Sequence, residues 1–206
     1  MRYLTLDQAS DDWLLWRTKG LGASDAPIIM GVSPWTSPKE LLEQKVARWF
    51  HADRRSNKNK SPRMMRGILM EPEAREAYCK LSGNKVEPMC GIHDCLDWMR
   101  ASYDGGDVEK KILLEVKCIN ADDHQTSVGG LVPAKYWPQV QHQLIVAGPG
   151  WTLDYFSYST SSRFKGADRT VTVPVKLHEP YAFELLDREQ KFWEKVLERV
   201  REKEKT

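Results

Sequence analysis

The stretch at residues 100–118 constrains this chain more than any other, because an aliphatic strand there carries two charges on one face. From Ile112 to Cys118 the side-chain period of two sends Glu115 and Lys117 one way and Leu114, Val116 and Cys118 the other. An apolar approach through Trp98 and Met99 and a turn rich in Gly and Asp over 104–107 predict a β-hairpin. Charges are rarely buried without partners, so Glu115 and Lys117 are expected to line a wet cleft together with Asp104, which leaves the neighbouring strand at its end. Two carboxylates and an ammonium at strand ends suit a divalent cation that activates water. Hard oxygen donors on Asp104 and Glu115, with the backbone carbonyl of Val116, fit Mg²⁺ or Mn²⁺, and Lys117 would orient the attacking water or favour its hydroxide form. The same alternation also describes a solvated edge strand with an ion pair two residues apart, and the strand alone leaves both readings open.

A chain of 206 residues can bury one sizeable core and is short for two, so a single domain over 1–206 is expected. Its 41% hydrophobic residues and eight Trp argue for a folded globule. No apolar run approaches the roughly 18 residues that span a bilayer, and the first residues lack the apolar core of a signal peptide, so the expected location is cytoplasmic, with no membrane partner. Four cysteines without CxxC spacing disfavour zinc. A net charge of +2 excludes little, since phosphate binders depend on clustered charge rather than on its total. The dense basic cluster lies at 48–66, where Arg54, Arg55, Lys58, Lys60 and Arg63 can meet a nucleic-acid backbone or form a solvated loop.

Along the chain, Ser10 caps a first helix bearing Trp13, Leu14, Trp16 and Arg17. Gly20 and Gly22 follow, and Ser24 is expected to cap a short helix that stops at Gly31; a glycine-bearing loop entering a helix favours anions. Ser37, Pro38 and Glu40 form a capping box. The next helix begins at Ser61 and Pro62, with Pro72 expected to kink or restart it, Glu71 just before the proline and Glu73 on solvated surface. A short strand is expected over 84–88 and a turn over 91–97, then, after Cys118, a polar loop in which His124 is a surface residue. A helix predicted from Pro133 to Gly148 places Gln139 and Gln143 on one face, and His142 at the surface or in the core. Strands at 151–158 and 170–175, the second an edge strand, precede a long amphipathic packing helix at about 178–204.

Asp104, ten residues, then Glu115-x-Lys117 resembles the PD-(D/E)xK nuclease core. Trp16-Arg17 before Gly-Ala-Ser24-Asp, Gly67-x-x-x-Glu71 and Gln139-x-Gln141, in that order, narrow the resemblance to the phage lambda exonuclease and YqaJ-type viral recombinase nucleases. It covers about 13–158, and Tyr103 departs from it, where family members often have Pro before the Asp. The resemblance implies an α/β fold with a restriction-endonuclease-like core, a central mixed sheet flanked by helices. It implies a Mg²⁺-dependent 5′-to-3′ exonuclease that degrades one strand of double-stranded DNA and leaves a 3′ overhang for single-strand-annealing recombination. Mn²⁺ is a substitute metal, and two ions per site are implied. By the same resemblance Glu71 supports the metal or its water, Gln139 orients the nucleophilic water or a phosphate, and Arg17 and Ser24 bind the 5′ phosphate. DNA ends, a homotrimeric ring and a single-strand annealing protein are the implied partners. Two alternatives use the same residues: an endonuclease with this core, and a non-catalytic DNA-end-binding recruitment module.

Overall fold

The structure is a computed structural model that describes residues 1–51 and 62–205, without the side chain of Arg63. Its frame is a seven-stranded mixed sheet. The strands are β1 (Arg2–Leu4), β2 (Leu21–Gly22), β3 (Glu87–Ile92), β4 (Met99–Asp107), β5 (Ile112–Cys118), β6 (Thr152–Tyr158) and β7 (Thr170–Val175). They run β1-β3-β4-β5-β6-β7, with β2 set against β4. β5 and β6 are parallel, as are β2 and β4, and the other pairs are antiparallel. The helices are α1 (Asp11–Thr18), α2 (Ala26–Ile29), α3 (Pro38–Phe50), α4 (Pro62–Ser82), α5 (Ala121–Val128), α6 (Trp137–Ala147) and α7 (Glu179–Glu204). Among the described residues no helix is long and apolar enough to cross a membrane.

The alternation in β5 makes this a layered molecule. Leu114 and Val116 pack with Phe156 and Tyr158 under Ala74 and Tyr78 of α4. Leu113 joins Tyr103, Leu153 and Tyr155 on the opposite face, beneath Val140 and Leu144 of α6. A third cluster joins Leu21, Ile29, Leu41 and Val46 to Phe192, Trp193, Val196 and Val200 of α7. Burial on this scale, at about 1.5–3 kcal/mol for each large side chain, holds the helices against the sheet.

Several boundaries depart from the expectations above. The hairpin turns after Asp107, not over 104–107, because Gly105 and Gly106 are ladder residues opposite Leu114 and Leu113. A Cβ on Gly105 would lie 2.7 Å from Val86 Cγ2, so this glycine makes room for the segment that leads into β3. The strand expected over 84–88 is β3, held further along by pairing of Gly91 and Ile92 with β1. Helix α4 runs through Pro72 without a break, its Ala74 and Tyr78 fully buried against the sheet. The expected polar loop after Cys118 contains α5, since Asn120 accepts the backbone N–H groups of Asp122 and Asp123. That helix buries His124, whose ring nitrogens meet Ser157 Oγ at 2.6 Å and the Asp168 carbonyl at 2.8 Å; it is not a surface residue. Helix α6 starts at Trp137, with Pro138 in its first turn, and ends at Gly148, whose φ is +82°. Of the basic cluster, Arg54, Arg55, Lys58 and Lys60 lie outside the described residues, as does the Arg63 side chain.

The long helix α7 is tied in by a buried polar pair. His142 of α6 donates through Nδ1 to Glu189 Oε1 at 2.7 Å and through Nε2 to the Arg100 carbonyl at 2.9 Å, and both side chains are fully buried. Both partners can accept, so the imidazolium, with an N–H on each ring nitrogen, satisfies both. Burial by itself lowers the pKa of His142, but the Glu189 carboxylate outweighs it and holds the value above that of an ordinary histidine. A group raised on folding contributes its full stability below its unfolded pKa, about 6.5, and loses it as pH rises through the raised value. Unfolding by urea across neutral to alkaline pH should therefore show declining stability. Glu189→Ala should cost about 3–5 kcal/mol at pH 6 and flatten that decline.

Candidate active site

The ladder between β4 and β5 ends at Gly105 and Leu114, and beyond it the strands separate. Asp104 stands at the fork, where its Oδ2 accepts the Val116 N–H at 2.8 Å in place of a strand carbonyl. The opening lets groups from both faces of the sheet act on one another. Burial raises the Asp104 carboxyl well above the usual carboxylate range, and Glu115 and Glu71 push it further against the pull of Lys117. Burial likewise raises Glu71, with Glu115 adding to it against Arg75 and Lys117. Four of the predicted residues, Glu71, Asp104, Glu115 and Lys117, thus form one electrostatic cluster.

Glu115 is not in an open cleft. It is 2% exposed and held by nitrogen donors: Oε1 accepts from Lys117 Nζ and Gln139 Nε2, and Oε2 from Gln143 Nε2. Tertiary packing of α6 over β5 brings these amides down onto the strand, which is why a side chain that alternation alone leaves wet is enclosed. Burial works to lower the Lys117 ammonium, but Glu115 and Asp104 more than reverse this and keep it charged. Its Nζ also lies 5.5 Å from the centroid of the Tyr136 ring.

The oxygen donors left over decide what the cluster can hold. Among the described residues, Asp104 Oδ1 and Glu71 Oε2 accept no hydrogen bond, while Glu71 Oε1 takes Arg75 Nη1 at 3.2 Å. Among the same residues no three His, Cys, Asp or Glu side chains are gathered closely enough to enclose a metal ion, Glu115 being turned to its nitrogen donors. The chemistry of the set still fits a hard cation, because it offers oxygen ligands on carboxyls that repel one another.

The N-terminal segment builds a second cluster beside the first. Arg17, half-buried on α1, donates through Nη2 to the exposed Ser24 Oγ at 3.1 Å and lies 4.5 Å from the Trp13 ring centroid. Ser24 does not cap a helix; it lies within the 3₁₀ turn Ala23–Asp25. Capping falls to Asp25, whose Oδ2 accepts the Gly22 N–H at 2.8 Å and pairs with Lys45 Nζ at 2.5 Å in a buried ion pair. Burial alone raises Asp25, and Lys45 with Arg17 turns it downward, so it stays ionised. Lys45 also donates to the Gly20 carbonyl at 2.9 Å. Gly20 itself is required, since a Cβ there would meet the Trp98 carbonyl oxygen at 2.3 Å. This chain of contacts seats β2 against β4, with Gly22 opposite Arg100. Asp104 lies four residues further along β4, about 13 Å at roughly 3.3 Å per residue.

Three functional neighbours were not singled out by sequence. Arg75 joins Glu71 to the fork by donating to the Asp104 carbonyl at 2.9 Å; its one signal was the four-residue spacing from Glu71. Lys45 gave none, as an ordinary helix lysine. Gln143 was legible only as sharing a face with Gln139, whereas Gln141 is turned away to the Lys176 carbonyl and the His178 N–H. Gln143→Leu should cost about 1–3 kcal/mol in urea unfolding, because it strips a buried carboxylate oxygen of its donor.

Residues 12–149 match the sequence model of the YqaJ-like viral recombinase domain. The chain is 31% identical over 153 residues to the uncharacterised protein YqaJ of Bacillus subtilis (strain 168), a match taking in 73% of this chain and 46% of that protein. It thus spans about half the length of this curated relative. Its fold is similar to the crystal structure of LHK-Exo in complex with dAMP, with a TM-score of 0.79, 22% identity, and coverage of 95% of this chain and 97% of that one. The crystal structure of an alkaline exonuclease (LHK-Exo) from Laribacter hongkongensis gives 0.77 and 21% over the same shares. A phage-related exonuclease from Haemophilus somnus 129PT gives 0.56 and 12%, covering 89% of this chain and 96% of that one. The matched span runs from α1 to the end of α6 and contains both clusters, from Arg17 to Gln143; the chain belongs to the YqaJ-like viral recombinase domain family.

Proposed function

We propose that this chain is a Mg²⁺-dependent exonuclease that removes nucleotides from one strand of double-stranded DNA in the 5′-to-3′ direction, leaving a 3′ overhang for annealing. The observation that carries this reading is the fork itself, where Glu71, Asp104, Glu115 and Lys117 act on one another across the separating strands. Asp104 and Glu71 with the Val116 carbonyl would hold the metal, as one or two ions, with Mn²⁺ as a substitute; Glu115, whose oxygens are taken by Lys117, Gln139 and Gln143, would join them by giving up one of these donors. When bound, the metal supplies Lewis-acid stabilisation of charge on the attacking and leaving oxygens.

The remaining work falls to the chain's own side chains. Lys117, kept charged, is a hydrogen-bond donor rather than a base; it orients the attacking water or steadies a phosphate oxygen as charge builds there. Gln139 and Gln143 fix Glu115, and Gln139 lies beside Lys117 on the same Oε1, where it can orient the water. The Arg17 guanidinium and the Ser24 hydroxyl form the grip for a terminal 5′ phosphate. Holding the 5′ end there, beside the site that cuts, would give the reaction its polarity. A homotrimeric ring around DNA and a single-strand annealing protein complete the reading. Both rest on family resemblance.

Linear duplex phosphorylated at the 5′ end of one strand, with closed circles as control, tests the reading in Mg²⁺ and in EDTA. Loss of the phosphorylated strand from its 5′ end in Mg²⁺ alone, with circles intact, is expected; cut circles would point to an endonuclease, and no cleavage with any metal to a binding module. Lys117→Ala should lower the rate by about 100-fold or more while DNA binding persists. Arg17→Ala should lower the preference for a 5′ phosphate over a 5′ hydroxyl by about tenfold, from the loss of a charged hydrogen bond, without changing metal affinity. Equal loss on both ends would remove Arg17 from that role.

A further inference from the structure

Trp35 is 63% exposed, an unusual position for the largest aromatic side chain. It lies in the connection between α2 and α3, where its backbone N–H donates to Ser33 Oγ at 3.3 Å. The ring does not hang free. Lys135 Nζ sits 5.4 Å from the Trp35 ring centroid and 5.3 Å from that of Tyr136, and is fixed by Asp123 Oδ2 at 2.6 Å. Lys117 Nζ in turn lies 5.5 Å from the Tyr136 centroid. A run of ammonium and ring, each step 5.3–5.5 Å, therefore leads from Lys117 at the fork through Tyr136 and Lys135 out to Trp35.

We propose that Trp35 is a stacking platform for a nucleobase of the strand that enters the carboxylate site, held ready by Lys135. This rests on the nuclease reading above and adds to it the group that receives a base rather than a phosphate. Three features favour nucleic acid as the occupant. An ammonium over an indole takes up only one region of its π surface, and the rest of an exposed ring is available to a base. The platform is continuous with Lys117, so a strand whose phosphate lies at the fork has its flanking bases within reach of Trp35. The ring is also pre-positioned by the Asp123–Lys135–Tyr136 group, so little side-chain freedom is lost when a base stacks on it. Because every base has a π face, the contact is indifferent to sequence, as suits an enzyme that travels along DNA.

The test uses the full chain in EDTA, so that binding is read without cleavage, on duplexes with a 5′ phosphate and 2-aminopurine at each of the terminal nucleotides in turn. Stacking should quench 2-aminopurine at one position. Trp35→Ala should abolish that quench and weaken binding by about tenfold, and Trp35→Tyr should restore most of both. Duplex made abasic at that position should bind the unaltered chain and Trp35→Ala equally. An undiminished quench in Trp35→Ala, or equal weakening on intact and abasic duplex, overturns the platform. So does a change in oligomeric state on Trp35→Ala with the quench unaltered, which would make Trp35 a contact between copies. Mg²⁺-dependent cleavage by the unaltered chain is scored in parallel: if it persists while the quench test fails, only the platform falls. Failure of the unaltered chain to bind DNA at all overturns both readings.

Discussion

The hydrogen bond from the Val116 N–H to the Asp104 carboxylate is the contact on which the site depends. A strand that leaves its neighbour exposes donors and acceptors that the ladder would otherwise satisfy, and a buried unpaired N–H is costly. Here an acidic side chain takes the vacated donor, so the strands can part without an orphaned amide. This contact fixes one carboxylate oxygen and leaves the other without a hydrogen bond among the described residues. A structural requirement of the sheet and a chemical requirement of the site are met by one residue.

Glu115 shows what the site costs the fold. A carboxylate at 2% exposure is unfavourable unless its oxygens are occupied, and three nitrogen donors, from Lys117, Gln139 and Gln143, occupy them. Leu114 and Val116 on the other side of the strand bury their full share against α4 and anchor β5 where the charges need it. The apolar half of the alternation thus stabilises the position of the charged half. Gln143 belongs to this cage as much as Gln139, although its remaining oxygen is buried without a partner among the described residues.

The Arg17 and Ser24 cluster depends on a different device. Asp25 and Lys45 form a buried pair that ties α3 to the turn carrying Ser24, while Trp13 Nε1 donates to Ser102 Oγ at 2.9 Å and ties α1 to β4. Both clusters are therefore referenced to the same strand, β4. Such a frame holds two sites at a fixed distance better than loops joined only at their ends.

Much of this was legible in the residues. The period of two in β5 gave the two faces, the capping box gave the start of α3, Gly148 gave the end of α6, and Glu71, Asp104, Glu115, Lys117, Gln139, Arg17 and Ser24 were named from motif and resemblance. Legibility ended where a residue's role depends on a partner distant in sequence. His124 read as a surface residue because nothing local shows Ser157 or Asp168 waiting for its ring, and Lys45 gave no signal because Asp25, its partner, lies twenty residues earlier. Gly105 and Gly106 read as a turn because glycine marks both turns and crowded strands, and the crowding comes from Val86, just before β3, and Met89 on it. The sequence by itself determined which side chains could do chemistry and which way they face along each element, since periodicity and capping are local properties of the backbone. The tertiary structure alone decided which of them are enclosed and charged, because burial and the field of neighbouring groups arise only when distant segments are packed together.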